Sequence, residues 1–582
     1  MVFYPPRSNP PLPPVPDSIP ICDFMTDESY GRTSLSSSLH PFTCGLSGKT
    51  HSWVEVRDRV DYLARALANE FGWHPNQATE WDKVVACFLL NTIDTLPLFW
   101  AIHRLSGVAT PANAAYSAAE LTHQLKDSGA KALFTCLPLL NTSLEAAAKA
   151  GVPKNRIYLV DLPPQVTGDA KTPAGFKTLE QLIQQGRQLP RLERLKWSPG
   201  QGARTTAFLC YSSGTSGLPK GVMISHRNVI ANTLQLNTYE KPSRDKLRAK
   251  DPRIPEQEVS LGLLPQSHIY ALVYICHCGS YRGDQIIVLP KFEINSFLNA
   301  IQRFKISALS LVPPIIITML RNQELLKKFD LSHVRSIFTG AAPLGAETAQ
   351  ELQNLFPSWA IRQGYGLTET ATVICATSLL DIWFGSSGNL IPGVEARIVT
   401  PEGKEIHEYD TPGELVVRSP SVVLGYLNNE KSTKETFKDG WMFTGDEAMI
   451  RVGPKGTEHV WIVDRIKELI KVKGLQVAPA ELEAHLLEHP MVADCAVIGI
   501  PDEAAGEIPK AFVVKAPAAS GDDSAVSQAI KKHVEDHKAR HKWLKGGVEF
   551  LDVIPKSPSG KILRRLLRDK EKEARRKAGG KL

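Results

Sequence analysis

The chain has 582 residues, of which 43% are apolar and 22% charged. That is the make-up of a folded protein with core enough for two or more domains, and it excludes a disordered, collagen-like or coiled-coil chain. The formal net charge is +7, but residues 561–582 alone carry ten Lys/Arg against three Asp/Glu, so the rest of the chain is neutral. Nucleic-acid proteins spread basic charge over a face or stripe, so no nucleic-acid partner is expected.

The first twenty residues hold eight prolines. They can form neither helix nor central strand, and read as an extended arm laid on the first domain. They show no basic n-region followed by an apolar h-region, so no secretory signal is expected. No apolar run approaches the ~20 residues that span a bilayer. The nine cysteines are scattered, and Cys276-His-Cys278 is a lone close pair. Reduced thiols in an intracellular protein are therefore expected.

From Val54 onward strand-like and helix-like stretches alternate. Lys83–Leu90, Ala132–Thr135 and Arg156–Val160 read as strands, and Thr95–Leu105 as a helix. Thr206–Tyr211, Gln285–Leu289, Ala308–Val312, Ser336–Thr339 and Ala360–Arg362 continue the strands. This alternation implies βαβ units and a largely parallel sheet. Residues 240–258 are charged, contain three prolines and read as a surface loop. After Ile391 the texture turns to short strands and Gly/Pro turns, at Ala396–Val399, Glu414–Val417 and Val460–Val463, which reads as a small β-rich subdomain over 391–463. Beyond Asp464 come a helix at Pro479–Leu487, strands at Ala493–Ile500 and Ala511–Val514, and an amphipathic helix at Ser524–His541. The expected fold is α/β: a large N-terminal part (1–463) of parallel-sheet subdomains plus the β-rich one, then a small mobile α+β C-terminal domain (464–582).

The strongest chemical signal is Tyr211-Ser-Ser-Gly-Thr-Ser-Gly-Leu-Pro-Lys-Gly-Val222, between a predicted strand and a helix beginning near His226. Gly214, Gly217 and Gly221 permit tight turns. Backbone N–H groups and the hydroxyls of Ser212, Ser213, Thr215 and Ser216 can then donate to phosphate oxygens, with Lys220 as a cation. The segment lacks G-x-x-x-x-G-K-[ST] and is not a Walker A loop.

This loop resembles the signature of the adenylate-forming superfamily of acyl-CoA ligases, adenylation domains and luciferases. Further motifs agree in order: Gly340-Ala-Ala-Pro-Leu-Gly345, Gln363-Gly-Tyr-Gly-Leu-Thr-Glu369, Thr444-Gly-Asp446, Asp464-Arg-Ile-Lys-Glu-Leu-Ile-Lys-Val-Lys-Gly474 and Pro555-Lys-Ser-Pro-Ser-Gly-Lys561. The resemblance implies ATP, Mg²⁺ and coenzyme A, with a carboxylic acid converted first to acyl-AMP and then to acyl-CoA. Two anions meet in the first step, so cations must offset their charge.

By resemblance Glu369 holds Mg²⁺, a role that suits a hard carboxylate, and Thr368 contacts the α-phosphate. Gly340, Ala341 and Ala342, with Gln363, Gly364, Tyr365 and Gly366, border adenine and the acyl group. Asp446 and Arg465 reach the ribose, and Lys467 assists near the phosphate. Lys561 is the lysine of adenylation, while the other cations of the tail are expected to be solvated. Asp464 is the hinge about which the C-terminal domain turns, bringing Lys473 and Gly474 to the pantetheine arm; read from the residue alone, it is equally a helix or turn cap.

The segment Leu264-Pro-Gln-Ser-His-Ile-Tyr270 is similar to the 4-coumarate–CoA ligase branch, which implies His268 beside the reacting carboxylate. The N- and C-terminal stretches are closer to filamentous-fungal phenylacetyl-CoA ligases of peroxisomes and penicillin biosynthesis. By position the acyl pocket is bordered by Tyr270, Tyr274, Phe338, Ala341, Gly364, Thr372 and Val373. This apolar, aromatic lining suits arylacetic, aryl-propenoic and medium-chain acids. The alternatives are a 4-coumarate–CoA ligase proper and an adenylation enzyme loading a carrier-protein thiol, although no carrier module follows Lys561. The end Gly580-Lys581-Leu582 departs from Ser-Lys-Leu by one residue; read with the resemblance, it implies recognition by a peroxisomal import receptor, the other location being cytoplasmic.

Overall fold

The computed structural model describes residues 1–212, 219–473, 475–517, 519, 522–557 and 560–577. These residues form four sheets. In the first, of eight strands, Val84–Phe88 is central, with Val108–Ala112 and Ala132–Thr135 parallel to it on either side. All five residues of Val84–Phe88 are buried, as a parallel strand covered on both faces requires. In the second, of nine strands, the run Val259–Gly262, Ala308–Leu311, Ser336–Thr339 and Ala360–Leu367 is parallel throughout. The β-rich subdomain is an antiparallel sheet built on Gly413–Arg418, Trp441–Val452 and Glu458–Arg465. The fourth sheet pairs Val492–Asp502 with Gly506–Lys515, flanked by Ile470–Val472 and Val548–Phe550.

One continuous apolar core joins the first three sheets and ends at Val460 and Ile462. A separate core begins at Ile470 and lies between the fourth sheet and the helices Pro479–Leu487 and Asp523–His537. The proline-rich arm is extended. Phe3 is 3% exposed and bridges to Ala396 of the β-rich sheet, with N–H···O distances of 2.8 and 3.0 Å. Farther along, the Ile21 N–H donates to His226 Nδ1 at 3.1 Å.

Two expectations are corrected, whereas the helix expected near His226 starts there. Before it, Lys220–Ser225 forms a strand antiparallel to Thr206–Ser212. Ser225 then caps the helix reciprocally with Asn228. Residues 240–250 are not a loop, because that helix continues through Pro242 to Lys250. A helical proline costs about 3 kcal/mol; here burial of Tyr239, Glu240 and Ser243 around it offsets the loss. Finally, the basic tail is not simply solvated. Arg564–Lys577 is an amphipathic helix whose Leu567 packs with Ile498, Phe512 and Ile554. Arg564 donates to both oxygens of Glu483 at 2.7 Å, and Arg568 and Lys570 pair with Glu468 and Glu549. All nine cysteines are buried and unbridged. Among the described residues no helix is long and apolar enough to cross a membrane.

Candidate active site

The site lies where the parallel strand Ala360–Leu367, the β-rich sheet and the turn before the tail helix converge. Antiparallel register places Asp446 opposite Arg465 on the paired strands Trp441–Val452 and Glu458–Arg465. Arg465 Nε is 3.5 Å from Asp446 Oδ1, and the Tyr365 hydroxyl donates to Oδ2 at 2.5 Å. Asp446 is 4% exposed. Burial raises its carboxyl above the ordinary range; Arg465, Tyr365 and Lys561 oppose that rise.

Glu369 sits in a short turn, Thr368–Thr370, just past the strand. It is buried, and its Oε1 accepts from the Tyr426 hydroxyl at 2.9 Å. Lys220 points the same way, with Nζ 5.0 Å from the centre of the Tyr426 ring and donating to Ser432 Oγ at 2.9 Å. Lys561 follows Gly560, whose φ of +83° turns the chain beside Val312 and Pro314. The Lys561 N–H donates to Ser557 Oγ at 3.1 Å. Desolvation and then Arg465 push the Lys561 ammonium down to about 8, while Asp446, Glu369 and Glu468 pull it upward. His268 is half-buried, and desolvation followed by Lys561 pushes it down to about 4. Lys561 is thus the common electrostatic neighbour of Asp446, Glu369 and His268.

The backbone is strained around this centre. Ala341, Ala371 and Thr372 have φ of +68°, +50° and +126°, a region disfavoured outside glycine. Gly366 has no alternative, because a Cβ there would meet the Thr372 carbonyl oxygen at 1.5 Å. Gln363 ties the Gly340–Gly345 loop to the strand: its Oε1 accepts from the Leu344 N–H at 3.0 Å. Ala342 lies on the same loop, partly exposed.

Behind the centre the expected acyl-pocket residues come together. Tyr274 stacks on Phe338 at 4.3 Å and 20°, and Tyr270 meets Phe338 edge-on at 6.2 Å. Gly364 lies against the Phe338 ring, where a Cβ would meet Cζ at 2.4 Å. Thr372 donates to the Ile269 carbonyl at 3.1 Å, and the Val373 carbonyl accepts from Asn232 at 2.7 Å. Both tyrosine hydroxyls are committed, Tyr270 to the Phe338 carbonyl at 2.7 Å and Tyr274 to Glu240 at 3.3 Å.

Asp464 is buried at the junction of the two cores. Its Oδ1 accepts from the Arg465 N–H at 2.7 Å and its Oδ2 from the Ala480 N–H at 2.9 Å, so it caps the helix Pro479–Leu487. Lys467 is exposed. Lys473, with φ +51°, is exposed at the hairpin joining Ile470–Val472 to Leu475–Val477. Neither is among the main charges acting on Lys561. Ser212 ends its strand, whereas Ser213, Gly214, Thr215, Ser216, Gly217 and Gly474 lie outside the described residues.

Sequence reasoning missed Tyr426, which supports Glu369, and Glu240. The latter is 2% exposed, accepts from Arg362 Nη2 at 2.9 Å and Arg282 Nη1 at 3.1 Å, and is held down at about 2 despite its desolvation, chiefly by the arginines. No local pattern marks Glu240, since its neighbours Lys241 and Pro242 read as loop.

Residues 34–427 match the family model of AMP-binding enzymes, and residues 481–561 match that of the AMP-binding enzyme C-terminal domain. The acyl-CoA ligase cm3C of Cordyceps militaris is 41% identical over 95% of this chain and 88% of its own length. The acyl-CoA ligase easD of Emericella nidulans is 39% identical over 98% of this chain and its full length. Among solved structures, ATP-bound MatB from Rhodopseudomonas palustris superposes with a TM-score of 0.76 at 25% identity, covering 96% of this chain and 99% of that one. The anthranilate CoA ligase AuaEII with anthranoyl-AMP gives a TM-score of 0.78 at 23% identity over 95% and 98%, a likeness of fold.

Proposed function

The chain belongs to the AMP-binding enzyme family and is an AMP-forming acid–CoA ligase; from that premise we propose that it activates phenylacetate-type aryl acids, with aryl-propenoic and medium-chain acids as further substrates. The observation that carries the substrate reading is the packed Tyr270–Tyr274–Phe338 cluster. Its faces suit a flat ring, and with both O–H groups already donating elsewhere it has no tyrosine donor left for a ring hydroxyl.

In the proposed reaction a carboxylate oxygen of the acid attacks the α-phosphorus of ATP. The new C–O–P bond replaces the bond to the β-phosphate bridge, and pyrophosphate leaves. The thiolate of CoA then attacks the acyl carbon, a thioester forms and AMP leaves. Lys561 places its ammonium between the carboxylate and the α-phosphate, where charge gathers in the first step. Lys220, Thr368 and the hydroxyls and N–H groups of 212–217 hold the phosphates. Asp446 accepts from the ribose hydroxyls, and Arg465 and Tyr365 fix that carboxylate. Gly340–Ala342 and Gln363–Gly366 border adenine and the acyl group, and Lys467 assists near the phosphate. His268, uncharged near neutrality because of desolvation and Lys561, orients the carboxylate without adding a competing cation. The carboxylate of Glu369 with the Thr368 hydroxyl is a hard oxygen set that fits Mg²⁺, which would neutralise phosphate charge there.

For the second step, residues 464–582 turn as a unit about Asp464 against residues 1–463. Lys561 withdraws, and Lys473-Gly474 approaches the pantetheine arm. Gly580-Lys581-Leu582, outside the described residues, directs the protein to peroxisomes in this proposal; deleting those three residues should leave a reporter in the cytoplasm, and an unchanged peroxisomal pattern would reject it.

The substrate reading is tested by AMP release and loss of free CoA thiol with ATP, Mg²⁺ and a panel of acids. Phenylacetate should give the highest kcat/KM, with the 4-hydroxy acid behind it by no more than about 100-fold. Preference for the hydroxylated acid would overturn the pocket argument. No acid-dependent AMP release with any acid would overturn the assignment of roles.

A further inference from the structure

A second constellation lies on the C-terminal domain, on two helices that play no part in the centre described above. His485 stands in the last turn of Pro479–Leu487, and His489 follows it by four residues. His533 and His537, also four apart, stand on one face of Asp523–His537. The His485 and His533 rings stack at 4.1 Å and 9°, and His537 lies 5.3 and 5.1 Å from them. His489 meets His533 edge-on at 5.1 Å. One nitrogen each from His485, His533 and His537 lies within 4.8 Å of the others, a grouping found once among the described residues.

We propose that His485, His533 and His537 form a binding site for a divalent transition metal of the Zn²⁺ type, with Glu488 and His489 at its rim. The chemistry of the rings supports it. Imidazoles that serve as ligands bind through one nitrogen while the other donates to a carbonyl or carboxylate. Here His485 Nε2 faces the His533 carbonyl at 3.3 Å, His533 Nε2 faces the His485 carbonyl at 3.2 Å, and His537 Nδ1 faces the His533 carbonyl at 2.8 Å. That leaves His533 Nδ1 and His537 Nε2 to bind; His485 Nδ1 faces Glu488 Oε2 at 3.2 Å and would exchange that partner for the metal, leaving the carboxylate at the rim.

Tetrahedral Zn–N bonds of about 2.0–2.1 Å require the nitrogens to draw in to about 3.4 Å. His485 is buried and serves as the anchor, while His537 is exposed and His533 half-exposed, so both can rotate inward. The metal would staple the two helices of the domain together, including the one that Asp464 caps.

The test uses the full-length chain freed of any polyhistidine tag. Co²⁺ is titrated while its d–d absorption is followed, and Zn²⁺ is counted by equilibrium dialysis. One metal per chain is expected, with visible bands of a nitrogen-rich site and a rise in melting temperature on Zn²⁺ addition. His537→Gln, at an exposed position that does not endanger folding, and His533→Gln should each weaken binding at least tenfold and remove the thermal shift, with acyl-AMP formation unchanged. Absence of binding to the wild-type chain, or binding by both variants as tight as the wild type's, would overturn the proposal.

Discussion

Replacing Lys561 by methionine is expected to abolish acyl-AMP formation and to stabilise the ligand-free protein. In the fold the ammonium is pushed from the ordinary lysine value of 10.5 down to about 8, first by desolvation and then by Arg465. At roughly 1.4 kcal/mol per pH unit, that drop is a penalty of about 3 kcal/mol on the folded cation. Partial solvent screening reduces it to about 1–2 kcal/mol. The penalty is complete below pH 8, because both folded and unfolded chains are then charged. It is relieved as pH rises from 8 through the unfolded value of 10.5, above which the lysine is neutral in both states. Methionine keeps the aliphatic stem and removes the charge. K561M should therefore unfold at higher denaturant concentration, or several degrees higher, at pH 7, and the gap should close near pH 10.5. Pyrophosphate exchange reports the first half-reaction, and thioester formation from supplied acyl-AMP reports the second, which should survive. A variant less stable at pH 7, a gap unchanged at high pH, or pyrophosphate exchange at the wild-type rate would refute the reasoning.

Gly366→Ala forces a Cβ to 1.5 Å from the Thr372 carbonyl, so a loss above about 3 kcal/mol is expected, read as lost soluble yield or a lowered melting temperature. Glu240→Ala strands Arg362 and Arg282 without their buried anion and should cost about 3–5 kcal/mol in urea unfolding. In the wild type the Glu240 contribution holds at and above the ordinary carboxyl range of about 4.5 and falls away as pH drops through about 2. Asp464→Ala removes a cap worth about 1 kcal/mol; thioester formation should slow more than pyrophosphate exchange, and equal slowing would argue against a hinge.

Most of the architecture was legible because strand and helix periodicities are local. Val84–Phe88, Ala308–Leu311 and Pro479–Leu487 form where their patterns place them. Residues 240–250 were misread because the composition rule sees a proline among charges, while the decisive terms are nonlocal: Glu240 finds Arg362 across 122 residues. The tail was misread for the same reason, since Arg564 finds its partner Glu483 81 residues away.

The sequence by itself determined the order of the motifs, the chemistry of each side chain and the concentration of basic charge in 561–582, because these depend only on residue identity and spacing. Tertiary structure decided which of them meet. Strand register sets Asp446 against Arg465, and the turn at Gly560 brings Lys561 within the field of Asp446, Glu369 and His268. Desolvation, which no residue carries alone, then lowers the ammonium of Lys561 to about 8 while burial of Asp446 raises its carboxyl.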